Sequence, residues 1–531
     1  MNATVTIGSD PMTVEELVAV ARGAAVHLAP EARSLIRSSR GVIDRVLATG
    51  QPVYGLNTGV GHMKDVRLPE DALRRSQELL LVTHAGGVGP PAPVEVVRAA
   101  MAARLNGVAR GGSGATEALA GILAAMLNER VHPVVPVEGS VGAGDLGPMA
   151  AIGLVAIGRG RAEHRGEVVA GGEALRRAGI EPLVLQPKDG LTLVSANGVS
   201  IGNGALGVTR AAELAGIADV SAALSMEAVG GNPSVTLPVV GTAKPYPGQI
   251  ESCRSIRAAL RGSPILAPGA SHSVQDPLSF RVAPQVHGAF RELLTSARRA
   301  VEIELNSKSD NPLVDVDTGT MVHNGNFHPM VLAVTFDALR VGIAHVGQLS
   351  ERRMSHLWDA FFEGLGKLEG PGGWGAGTAG PETTGPGEGT PPLSEPESFG
   401  VTLRYSGAAL VAELKQLAAP ATLDVPPLDI GVEDHATGAP LSVRKTREAL
   451  GLLEGILAIE LLLARDVLSL MPGPPSLGEG TGQAVRSIER ALAEHVGADR
   501  SPAAIHRAVQ DRVLGEVVAW IGETEGLVVE H

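Results

Sequence analysis

The stretch EGSVGAGDLGPMA, Glu138 to Ala150, sets two glycines around Ala143 and follows them with Asp145, Leu146 and a proline. Alone it reads as a structural turn. Seven other polar, glycine- or proline-marked turns accompany it: YGLNTGVG from Tyr54, THAGGVG from Thr83, NGVS from Asn197, QDPLSFR from Gln275, SDNP from Ser309, NGNFH from Asn324 and EDH from Glu433. Their order and separation carry more information than any one of them.

The 531-residue chain is long enough for a large core, and length alone suggests about three domains. Aromatic residues make up only 2%, so the core is built from small aliphatic side chains, which suits closely packed helices. A formal net charge of −13 disfavours nucleic acid as a partner. No polybasic block marks a membrane surface, and no uncharged apolar run approaches the ~20 residues of a spanning helix. The single cysteine, Cys253, excludes an internal disulfide and fits a reducing cytoplasm. The first twenty residues lack a basic start followed by an apolar run, so no signal peptide is expected.

Periodicity divides the chain. Residues 1–201 are mixed and glycine-rich, with short helices and loops. Residues 202–481 are dominated by long helical patterns: Leu332, Phe336, Leu339, Ile343 and Val346 recur at alternating spacings of four and three, as do Leu452, Ile456, Ile459 and Leu463. This is the period of helices packed lengthwise in a bundle, so the expected fold is mainly α. Gly364 to Pro392 holds 11 glycines and 5 prolines, which predicts a surface loop or lid within that segment. Residues 482–531 read as a tail of shorter helices.

Common chemical motifs do not fit. GNGALG (Gly202–Gly207) matches GxGxxG but opens a helical region rather than a βαβ unit. RGGSGATE (Arg110–Glu117) lacks the phosphate-binding lysine and reads as a turn with a helix cap. His323, His328, Glu433, Asp434 and His435 are metal-capable residue types, but without HExxH or paired CxxC no metal is expected. GxSxG is absent.

From about Tyr54 to Leu470 the set of turns resembles the aromatic amino acid ammonia-lyase family: histidine, tyrosine and phenylalanine ammonia-lyases and aminomutases, nearest the histidine branch. The resemblance implies a long-helix bundle with the active-site loops on the glycine-rich N-terminal region. It also implies a homotetramer with each site shared by three subunits, and an amino acid or related acid as the small-molecule partner. It implies elimination of ammonia from an L-amino acid, histidine- or tyrosine-like, to an α,β-unsaturated acid. The β proton of such a substrate is barely acidic, so the family uses an electrophile, methylidene-imidazolone (MIO), made by cyclising an Ala-Ser-Gly triad. Tyr54 matches the loop tyrosine that acts as acid or base, and a phenol serving as base needs positive or oxyanion-stabilising surroundings. Arg281 matches the arginine that grips the substrate carboxylate. His84 and Glu433 match positions that choose the side chain, Asn197 an active-site asparagine, and Phe327 a pocket wall. Asn57 and Asn311 match residues that orient loops or the prosthetic group, and Gln275 opens the segment bearing Arg281.

Two departures stand out. Ala143 and Gly144 flank the place of an absent serine, and a central Gly144 has no hydroxyl to lose, so the expectation is that MIO does not form. Leu278 stands where a second catalytic tyrosine is usual. Tyr54, Ala143, Gly144, Arg281 and Glu433 therefore mark a carbon–nitrogen lyase site whose activity the sequence leaves open. The alternatives are an MIO-less homologue acting on a substrate with a better leaving group, or a non-catalytic amino-acid-binding tetramer.

Overall fold

A computed structural model describes residues 4–369, 398–472, 474–494 and 501–528. The glycine- and proline-rich segment expected over 364–392 lies outside these beyond residue 369. Residues 364–369 continue the helix Met330–Glu369.

The mainly helical expectation holds. The two periodic stretches lie in the 40-residue helix Met330–Glu369 and the 31-residue helix Ala439–Ser469. Leu332, Phe336, Leu339, Ile343 and Val346 are fully buried, as are Ile456, Ile459 and Leu463, while Leu452 is half-buried. The stripe with four-three spacing thus faces protein. By length and composition Met330–Leu365 is apolar enough to cross a membrane, although Asp337 and Arg340 interrupt it, so that it holds no uncharged run of ~20 residues. Asp337 and Arg340 are buried and partnered inside the protein. Arg340 donates to the Leu417 carbonyl at 2.9 Å, and Asp337 accepts from the amides of Ala421 and Thr422.

The chain divides into two compact units, interleaved along the sequence: residues 1–209, 295–338 and 420–447, and residues 210–294, 339–419 and 448–531. The sequence segments 1–201, 202–481 and 482–531 have their boundaries inside the helices Gly198–Val229 and Glu479–Glu494.

In the first unit the helix Val94–Ala109 is buried on nearly all sides. It meets Gly198–Val229 so closely that a β-carbon on Gly202 would lie 2.7 Å from that of Ala99. Small side chains permit this approach, which explains the alanine- and glycine-rich composition. A buried Arg104–Asp310 pair, 2.7 Å at its shorter contact, fixes the SDNP turn to this core. Short ladders set the other turns. Val88–Pro91 pairs antiparallel with Pro136–Glu138, bringing THAGG beside GSVGAG, and the hairpin Leu313–Asp315 with Thr320–Val322 joins SDNP to NGNFH.

The second unit is built around buried charge. Arg353 and Glu460, both 0% exposed, pair at 2.6 Å, with Ser350 and Ser225 also donating to Glu460. Asp219 collects Ser252, His287 and Arg291. These partners offset the desolvation of each carboxylate.

Candidate active site

A cavity of about 590 Å³ opens in the first unit. Tyr54, His84, Ala143, Asn311, Phe327 and Glu433, six residues singled out by sequence, line it from six separate turns.

Tyr54 sits on the loop between Val53 and Leu68. Asn57 ties that loop by accepting from the Val53 amide and donating to the Gln51 carbonyl, both at 2.7 Å. Asn57 lines a different cavity, not this one. The Tyr54 hydroxyl oxygen accepts from the Gly61 amide at 3.1 Å. Burial pushes the phenol above its ordinary value; the Gly61 N–H opposes that, and the Glu433 and Asp429 carboxylates add to it. The surroundings are therefore acidic, opposite to the positive setting a phenolate base needs, and Tyr54 is held as a proton donor.

His84 ends the helix Leu73–His84. Its Nδ1 lies 2.8 Å from the Leu80 carbonyl, which fixes the proton on Nδ1 and leaves Nε2 as an acceptor. Glu433 is pushed up by burial and by Asp429, with His84 opposing. Asn311 accepts the Asn324 amide, joining SDNP to NGNFH. Beside the cavity His328 and His435 meet at 2.8 Å.

Asn197 is 1% exposed, and neither its amide oxygen nor its nitrogen has a partner among the described residues. A buried amide in that state is suited to a polar ligand atom or water. Gln275 and Arg281 belong to the second unit and are not among the residues lining the cavity.

The turn at Ala143 does not fit the MIO group. Gly144 supplies no β-carbon for a methylene, and its φ of +77° is one that glycine adopts readily. The nitrogen that would close a ring onto Ala143 is that of Asp145, and its N–H donates to the Ala196 carbonyl at 2.7 Å. Ser140 is no substitute, because its hydroxyl donates to the Gly144 carbonyl at 2.9 Å and accepts from the Gly142 amide. Asp145 itself is fully buried and accepts from the Ser200 amide and hydroxyl and from Ser140. Burial wins over these donors and pushes its carboxyl up to about 6.

Two lining residues were missed in the sequence. His62 Nδ1 lies 2.5 Å from Asp429 Oδ1, and the His62 amide donates to Asp429 Oδ2 at 2.9 Å. They stand 367 residues apart. The only local signal is their placement, eight residues after Tyr54 and four before Glu433.

Residues 12–385 and 390–490 match the sequence profile of the family described as aromatic amino acid lyase. A histidine ammonia-lyase of Anaeromyxobacter sp. (strain K) is 39% identical over 524 residues, 96% of this chain and 97% of that protein. Among solved structures, ergothionase of Treponema denticola, an ergothioneine-degrading enzyme, superposes with a TM-score of 0.85 at 28% identity, covering 97% of this chain and 99% of that one. Histidine ammonia-lyase of Trypanosoma cruzi gives 0.82 at 28%, covering 98% and 95%.

Proposed function

The chain belongs to the aromatic amino acid lyase family, and from that premise we propose that it eliminates the α-nitrogen of an L-amino acid with a histidine- or tyrosine-like side chain, giving an α,β-unsaturated acid. The observation that carries this reading is the convergence of Tyr54, His84, Ala143 and Glu433 on one cavity. His84 offers a ring acceptor and Glu433 a carboxyl, a pair able to hold an imidazole by both nitrogens. The histidine ammonia-lyase relatives support the same side chain. Asn197 is a ligand-binding amide, and Arg281 grips the carboxylate as part of a site completed by other subunits of a homotetramer. The helix Met330–Glu369 supports that assembly. Its residues Val331, Val334, Val341 and His345 lie uncovered at spacings of three, seven and four, an open heptad line. A reducing, cytoplasmic setting suits the single buried Cys253.

A second reading concerns the leaving group. Gly144 and the engaged Asp145 amide favour a nitrogen that departs without a backbone electrophile, as a fully alkylated ammonium does when it leaves as a neutral amine. The ergothioneine-degrading relative among the similar folds is consistent with that.

Both readings are tested by incubating the purified tetramer with L-histidine, L-tyrosine, L-phenylalanine and their N,N,N-trimethyl forms while following the ultraviolet absorbance of the conjugated acid. Turnover of the free amines supports the first, and turnover confined to the trimethyl forms the second. Tyr54→Phe lowers either by ~10²–10⁴-fold. No conjugated acid from any substrate refutes the elimination.

A further inference from the structure

The residues assigned so far leave the elimination without a proton acceptor. Leu278 has no acid–base chemistry, and burial, with the Glu433 and Asp429 carboxylates adding to it, keeps the proton on Tyr54. The cavity wall contains another candidate. His62 follows the glycine turn of the Tyr54 loop, lines the same cavity, and is held at two points by one carboxylate: Nδ1 to Asp429 Oδ1 at 2.5 Å and the backbone amide to Oδ2 at 2.9 Å. A carboxylate only accepts, so Nδ1 carries a proton and, in the neutral ring, the lone pair is on Nε2. The contact is built into the backbone. A β-carbon on Gly61 would fall 1.9 Å from Asp429 Oδ2, so only glycine leaves space for the carboxylate. Asp429 and Ile430 hold positive φ values of 47° and 56°, sparsely populated for non-glycine residues and least of all for a β-branched one. Gly61 also donates to Tyr54, so one turn positions both groups.

We propose that His62, oriented by Asp429, is the proton acceptor of this site and Tyr54 the proton donor; this rests on the elimination reading above. The Cβ–H bond breaks, its proton going to His62 Nε2 and its electron pair becoming the Cα–Cβ π bond. The Cα–N bond breaks with its pair remaining on nitrogen. An uncharged amine takes a proton from the Tyr54 hydroxyl as it leaves, and the imidazolium then returns one proton to the Tyr54 phenolate, restoring both groups. A fully alkylated nitrogen leaves as a neutral amine, and His62 then returns its proton to water. His62 touches the reacting atoms in this scheme, whereas Asp429 is a positioning residue acting through it. The other titratable groups lining the cavity are Tyr54, His84 and Glu433, with Lys64 and Asp65 paired just beyond His62.

The test compares His62→Gln and Asp429→Asn with the wild-type tetramer in kcat/KM from pH 5.5 to 9, using whichever substrate turns over. The circular dichroism and thermal midpoint of each variant are matched first. His62→Gln is expected to lose ~10²–10⁴-fold and to lose the acidic limb of the profile. Asp429→Asn is expected to lose less and to keep that limb at a displaced pH. A purely structural role for the pair would leave the limb unmoved. His62→Gln within twofold of wild type, or with the acidic limb unchanged, overturns the assignment while the elimination stands. A wild-type protein that turns over none of the substrates overturns the elimination, and this assignment with it.

Discussion

Asp145→Asn tests the electrostatics of the Ala143 turn. The carboxyl is fully buried and sits at about 6 in the folded protein against 3.8 for the free side chain. A carboxyl raised by folding binds its proton more tightly in the native state, so stability is highest below 3.8 and falls as pH rises through 6. The gap of about 2 pH units corresponds to roughly 3 kcal/mol lost by pH 8, of which about half is already lost at pH 5. Asparagine is neutral throughout and keeps an oxygen for the Ser200 amide. Ser140 can accept one of its N–H groups, and the other is left short of a partner at a cost of about 1 kcal/mol. The variant is therefore expected to be about 2 kcal/mol more stable than wild type at pH 8, an advantage smaller by roughly 1.4 kcal/mol at pH 5. Glu304 lies close enough to share the effect. Burial and the charge of Asp145 hold it up at about 7, and it should titrate lower in the variant. Urea-unfolding midpoints at the two pH values, with the carboxyl ¹³C titration of each residue, measure both. An advantage that stays constant or shrinks between pH 5 and 8 refutes the reasoning.

Asp310→Asn strips the buried Arg104 of its carboxylate and removes the charge that helps keep Lys188, pushed down to about 8 chiefly by burial, protonated. A cost of about 3–5 kcal/mol is expected as a lowered thermal midpoint, and a loss below 1 kcal/mol would contradict the role given to the pair. Gly61→Ala places a methyl group against Asp429 at a φ of +58°, where the left-handed conformation costs about 1–2 kcal/mol. Amide exchange should accelerate at residues 59–63 with little change in the global midpoint, and unchanged exchange there would mean that the contact does not hold the loop.

Much of the architecture was readable because it rests on local pattern. The spacing of Leu332, Phe336, Leu339, Ile343 and Val346 is a property of one helix face, and all five are buried. RGGSGATE read as a turn and cap, and Thr116 does cap the helix Glu117–Asn128 by accepting the Leu119 amide. The cavity was readable in part, because Tyr54, His84, Ala143, Phe327 and Glu433 each sit in a recognisable turn. What escaped depends on pairs far apart in the chain. Nothing near His62 announces Asp429, and nothing near Tyr54 says that its neighbours would be acidic rather than basic. Electrostatic environment is set by tertiary packing, which a linear motif does not encode.

The central claim is that this cavity performs its elimination without an electrophile made from residues 143–145. The most direct measurement is the intact mass of a preparation shown to turn over substrate. The account predicts the mass of the unmodified 531-residue chain. A mass two waters lighter, with the loss mapped to a peptide spanning Ala143 to Asp145, would contradict it.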